Sequence, residues 1–355
     1  MFPQLLRETT LAMRGVAIIS IALHNLLHFK SFGFIPENEV SFKSEYFRLY
    51  IDSLYHLSPN IVGDTLSFLG WLGVPVFVFL SGYGLVMKFE KGNNQEGFVI
   101  RKHLRHSFLN LFFLILPAIT LLLIGDIIDY NKYGIATKLF SLTLLTNVFS
   151  FIIPYPIIVY WYAGFTFELY LLYIIYNKNR SGHLLLYSSL ICFLVLFLIY
   201  FLGNYGHLLH YLKDNFVGWL PIFCLGIYVA RNSKRNSSSR KGMLCIVLLI
   251  PLLFITLVLM NSNYFLWVLM PFFAIPLCIC IVKLIQTTKL TKKCFIWIGE
   301  YSAAIFMVHP LIRMLKLTQI SDNLCFIVVL YLFITLLFSY FYQKIVLFLR
   351  SKIIS

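Results

Sequence analysis

Four groups of polar residues interrupt otherwise apolar stretches, and each suggests chemistry. In LAMRGVAIISIALHNLLHF, Arg14 stands near one end and His24, Asn25 and His28 toward the other. At 100° per residue, His24 and His28 lie about 40° apart on a helix, with Arg14 about 40° from His28 and about 80° from His24, so the three share one stripe. An imidazole titrating near neutral pH is the commonest general base, the reading preferred for His24; a neutral, hydrogen-bonded imidazole is its alternative. Arg14 reads either as a snorkelling anchor or as a cation that orients a reacting group, and His28 as an interfacial residue or a reserve base.

The second group, SFLGWLGVPVFVFLSGYGL, is rich in glycine, with Pro75 and Ser81, and is explained by close helix packing; Ser81 is not read as a nucleophile. The basic stretch RKHLRH that follows offers Arg101, Lys102 and Arg105, which either fix topology and touch anionic lipid or grip the phosphates of a donor. In YWYAGFTFELYLLY, Trp161 and Tyr162 form an ordinary interfacial belt, whereas Glu168 at its depth must be protonated, paired with a His or Arg of another span, or facing water. Last, IGEYSAAIFMVHPLIR puts Ser302 and His309 seven residues apart on one face, with Arg313 just beyond. His309 reads as an interfacial structural histidine or a further base.

The elements that must position these groups follow from composition. Of 355 residues 60% are hydrophobic and 12% charged, with a mean hydropathy of +0.84. Soluble chains carry roughly 25% charge, so a compact water-soluble enzyme is excluded and an integral membrane protein is expected. The net charge of +15 is explained by membrane topology and calls for no nucleic acid. Seven cysteines lie in or beside apolar runs without CxxC spacing, and read as apolar filler rather than disulfide partners or metal ligands; no metal is expected.

Crossing the hydrocarbon takes about 20 apolar residues as a helix. Ten stretches qualify or nearly do: roughly 11–29, 66–87, 107–125, 160–177, 183–202, 216–230, 242–261, 264–283, 294–312 and 324–348. An eleventh, about 139–158, contains Asn147, Pro154 and Pro156 and reads as re-entrant or interfacial. With both termini cytoplasmic, ten spans place 21 of the 29 Lys and Arg on inner segments. The expectation is an all-α membrane bundle of about ten helices, residues 1–355 forming one domain, with 232–241 as an inner linker.

Taken together, RGVAIISIALH at 14–24, GWLGVPVFVFLSGYGL at 70–85, the basic stretch at 101–105, WYAGFTFELYLLY at 161–173 and YSAAIFMVHP at 301–310 resemble the integral membrane acyltransferase 3 family. Arg14 and His24 have nine residues between them, one fewer than the family's pattern. The resemblance implies an O-acyltransferase in a bacterial inner membrane. Acyl-CoA, most often acetyl-CoA, would be the co-substrate, no other cofactor being implied, and a glycan or lipid-linked sugar would be the acceptor. It implies His24 and Arg14 as the catalytic residues and Lys102 and Arg105, with Arg101, as the donor site. A transporter or flippase for a lipid-linked glycan is the rival, disfavoured by the absence of duplicated halves.

Overall fold

The computed structural model describes residues 2–28, 32–39, 41–91, 99–128, 135–149, 160–202, 206–234, 243–315, 320–321 and 323–354. The architecture is all-helical apart from a two-residue parallel pairing of Phe2–Pro3 with Ser233–Lys234.

Each of the ten apolar stretches is largely helical over its described residues. They correspond to α1 (Arg7–Leu27), α3 with α4 (Ile61–Leu69, Gly73–Phe89), α5 (Ile100–Ile128), α7 (Trp161–Lys178), α8 (Gly182–Ile199), α10 (Leu220–Arg231), α11 (Met243–Met260), α12 (Tyr264–Ile285), α13 with α14 (Lys289–Glu300, Ser302–Arg313) and α15 (Leu324–Ile354). Shorter helices α2 (Ser44–Tyr55), α6 (Ile135–Ser141) and α9 (Gly206–Lys213) lie between them. Among the described residues six helices are long and apolar enough to cross a membrane: α1, α3 continuing into α4, α5, α8, α12 and α15. A seventh crossing needs α13 and α14 together, and these meet at 77° instead of forming the straight span expected over 294–312. The apolar helix Leu220–Arg231 and the Cys245–Met260 part of α11 are shorter than a full crossing. Of the expected interfacial stretch 139–158, the described part is the end of α6 followed by turns as far as 149; Pro154 and Pro156 lie outside the described residues.

Two close helix contacts hold the bundle. Gly82 of α4 faces the Phe223 carbonyl of α10 while Gly226 of α10 faces the Phe79 carbonyl of α4; Gly15 of α1 and Gly299 of α13 make the same reciprocal approach to Phe295 and Leu11. A Cβ at any of the four would collide with backbone, so the glycines set the helix spacing.

Polar contacts sort the segments into two ends. At one, Arg231 grips Glu90 through Nη2 and Nε at 2.8 and 2.9 Å and reaches the Tyr176 carbonyl at 2.5 Å. Lys91 meets the Ser233 carbonyl at 2.8 Å, and Lys292 pairs with Glu8 at 2.6 Å. This is the end to which charge counting assigned the basic segments. At the other end, loop 32–39 folds over the bundle. Asp64 accepts from the Ile35 N–H (3.3 Å), Ser67 donates to the Ile35 carbonyl (2.7 Å), and the Trp267 indole donates to the Asn38 carbonyl (2.6 Å).

Candidate active site

The folded loop carries two acids onto the histidines of α1. His24 is 2% exposed, and its Nδ1 lies 2.8 Å from the Ser67 carbonyl. A carbonyl only accepts, so Nδ1 carries the proton and Nε2 keeps its lone pair. Nε2 faces the Glu39 carboxyl at 3.9 Å. The register is fixed by Gly70, whose absent Cβ would stand 2.6 Å from the His24 Cβ. One turn along α1, His28 stacks on His24 and its Nδ1 meets Glu37 at 2.6 Å.

His309 of α14 repeats the arrangement of His24: Nδ1 lies 3.1 Å from the Ile305 carbonyl, which fixes the same tautomer. Arg313 donates to the carbonyl and side-chain oxygen of Asn25 at 3.1 and 3.3 Å, tying the end of α14 to α1. These groups line a cavity of about 300 Å³ together with Trp71, Trp161, His210 and Asp214, the last two paired at 3.3 Å.

Burial governs the acids of this mouth. It pushes the Glu39 carboxyl up to about 8, reinforced by the charges of Glu37 and Asp214 and opposed by Lys213. It raises Asp214 to about 6, which His210 resists. Burial also raises Glu37, but the hydrogen bond from His28 leads the opposing causes, and together they hold the carboxyl below its usual range.

A second cavity of about 170 Å³ is lined by Arg14, Ser81, Tyr162, Thr166, Tyr170 and Ser302 among apolar neighbours. Arg14 makes no hydrogen bond or ion pair among the described residues. Four helices line both cavities in succession. On α1, Arg14 belongs to the second and His24 to the first; on α14, Ser302 belongs to the second and His309 to the first; α4 and α7 divide likewise at Val74 and Phe77, and at Trp161 and Tyr162.

Of the residues singled out from sequence, His24, His28, Trp161 and His309 are thus gathered at one cavity and Arg14, Ser81 and Ser302 at the other. Trp161 lines the first cavity and Tyr162 the second. Ten helical steps put Arg14 and His24 about 15 Å apart, so the two do not touch. Arg101, Lys102 and Arg105 are exposed on the opening turns of α5 and line neither cavity. Their neighbour His103 contacts the carbonyl of Tyr170, a wall of the second cavity, at 3.1 Å. Among the described residues Glu168 is paired with neither His nor Arg: its Oε2 accepts from the Phe216 N–H at 2.9 Å and its buried Oε1 has no partner there. Glu37, Glu39, His210 and Asp214 are additions that sequence reasoning missed. Glu37 and Glu39 sit in a loop with no spacing that announces them, whereas His210 and Asp214, at and just beyond the end of short helix α9, have the i, i+4 spacing that could have found them.

No curated protein and no solved structure matches the chain. The family model described as an acyltransferase domain, that of the acyltransferase 3 family, matches residues 12–344. Matched over nearly its whole length, the chain belongs to the acyltransferase 3 family and is a multi-pass membrane protein of that family.

Proposed function

We propose that this acyltransferase moves an acyl group, acetyl foremost, from acyl-CoA to a hydroxyl of a cell-surface glycan or lipid-linked sugar in a bacterial inner membrane. The basic end faces the cytoplasm and the histidine cavity the opposite side, in keeping with the distribution of Lys and Arg. The observation that carries the reading is His24, pinned at Nδ1 by the Ser67 carbonyl and lining the cavity with its Nε2 lone pair unused by a hydrogen bond among the described residues.

In this reading the acceptor hydroxyl enters the larger cavity and gives its proton to His24 Nε2 as its oxygen attacks the thioester carbonyl. The tetrahedral adduct collapses, the C–S bond breaks, and the thiolate leaves as free CoA after taking the proton back. Arg101, Lys102 and Arg105 hold the donor's phosphates, and its thioester arm enters the second cavity, where Arg14 and the hydroxyls of Ser81 and Ser302 meet its amide and thioester oxygens. The larger cavity also accounts for His309 and Arg313, polar groups suited to a sugar.

The test is transfer of radiolabelled acetyl from acetyl-CoA into glycan in membranes from cells with the intact chain, with His24→Ala, and without the protein. Protein-dependent label that disappears in the variant supports the reading; a fully active variant removes His24 as the base.

A further inference from the structure

The two cavities share one lining residue, Phe306. Its ring packs against Tyr162 on the Arg14 side, with centroids 5.0 Å apart, and against His309 on the histidine side, 5.5 Å apart at 69°. It is 9% exposed. Phe306 lies four residues after Ser302 and three before His309, so all three project from neighbouring turns of one helix face. The ring therefore stands between a chamber holding an unpaired guanidinium and a chamber holding the bases.

We propose that Phe306 is the partition between donor and acceptor chambers and the residue that limits the size of the acyl group transferred. The inference rests on the acyl-transfer reading and deepens it. A thioester carbonyl arriving from the Arg14 side must come level with the Phe306 ring before a hydroxyl held at His24 can reach it. A short acyl chain lies flat beside the ring. Each added methylene must displace the ring from Tyr162 or His309, contacts that a packed interior yields reluctantly.

The same ring keeps water in the outer chamber off the thioester until an acceptor fills that chamber. Without it, water attacks in place of the sugar: its oxygen bonds to the acyl carbon, its proton passes to His24, the C–S bond breaks, and free acid and CoA leave. A smaller residue at 306 therefore carries two signatures, wider acyl tolerance and CoA release uncoupled from transfer.

Inverted membrane vesicles containing the full chain and native acceptors provide the assay, supplied with labelled acetyl-CoA or butyryl-CoA. Label entering glycan and total free thiol are measured for the native chain, Phe306→Leu and Phe306→Ala. The acetyl-to-butyryl transfer ratio is expected to fall at least tenfold in Phe306→Ala and by less in Phe306→Leu, with thiol released per acetyl transferred rising severalfold. Both quantities are ratios, so a variant that inserts poorly still reports, and the milder leucine covers the case in which alanine fails to fold. If both variants lose rate while the two ratios stay at native values, Phe306 is only a packing residue and the partition is overturned. If the native chain transfers neither acyl group, the acyl-transfer reading fails and the partition falls with it.

Discussion

The rings of His24 and His28 stack at 5.4 Å and 14°, yet among the described residues only one of them holds a carboxylate at hydrogen-bonding distance. His28 has Glu37 at 2.6 Å, whereas His24 has a backbone carbonyl on one nitrogen and Glu39 no nearer than 3.9 Å on the other. Stacked neighbours thus have different duties: His28 is hydrogen-bonded to an acid at the cavity mouth, and His24 keeps a free lone pair.

Replacing Glu37 by Gln removes the carboxylate that meets His28. Because the Glu37 carboxyl is held below its usual range, its contribution is present above the ordinary carboxylate pKa and is lost as pH falls through the depressed one. His28 is 38% exposed on its side chain, so the contribution is modest, about 1 kcal/mol. Thermal unfolding in detergent should show the native chain losing stability in acid more steeply than Glu37→Gln.

Glu39 gives the opposite sign. Its carboxyl is raised to about 8, so the folded chain keeps a proton that the unfolded chain has released, and stability declines as pH rises from the ordinary carboxylate range toward 8. Glu39→Gln cannot ionise. It should gain on the native chain across that interval, by at most about 1.4 kcal/mol per pH unit, and the gap should close in acid. A melting-temperature difference that stays flat from pH 5 to 8 contradicts this.

Gly70→Ala should damage activity more than insertion. The new methyl group would stand 2.6 Å from the His24 Cβ and 2.9 Å from the Ser20 carbonyl, so α1 must shift and carry the imidazole with it. A loss of tenfold or more in acyl transfer is expected, with a destabilisation of about 1–3 kcal/mol. Gly84, with nothing within 4 Å of its absent Cβ, is the control, and Gly84→Ala should be neutral or slightly stabilising.

At the basic end, Arg231→Met strands Glu90, whose side chain is 5% exposed. Breaking a buried pair from one side costs about 3–5 kcal/mol, while removing both partners costs much less. The double variant Arg231→Met, Glu90→Leu should therefore unfold in detergent at a higher temperature than Arg231→Met alone.

Apolar runs and glycine spacing made the helices legible, because burial in lipid imposes both on the sequence itself. The polar residues of α1, α7 and α14 were legible for the same reason: an Arg or His inside an apolar helix is costly enough to be noticed. Glu37 and Glu39 were not, since an acid in a loop is ordinary until the hydrogen bonds of Ile35, Ser67 and Asn38 fold that loop over His24. Nor was the break at Tyr301: Gly299 two residues earlier is already accounted for by its close approach to Leu11, and 294–312 as a whole reads as one apolar helix. Phe306 escaped for a simpler reason: in a chain with 35 phenylalanines, only three-dimensional placement distinguishes one.

The bend at Tyr301 has an electrical consequence. After a 77° turn, α14 has twelve residues, about 18 Å of helix, against a hydrocarbon layer of about 30 Å. Its depth is completed by side chains around two hollows instead of by solid helix. In the proposed orientation, a membrane potential would fall along that line mainly across the aromatic layer that holds Phe306, the one residue lining both hollows, and that layer would have to stay tight against ions.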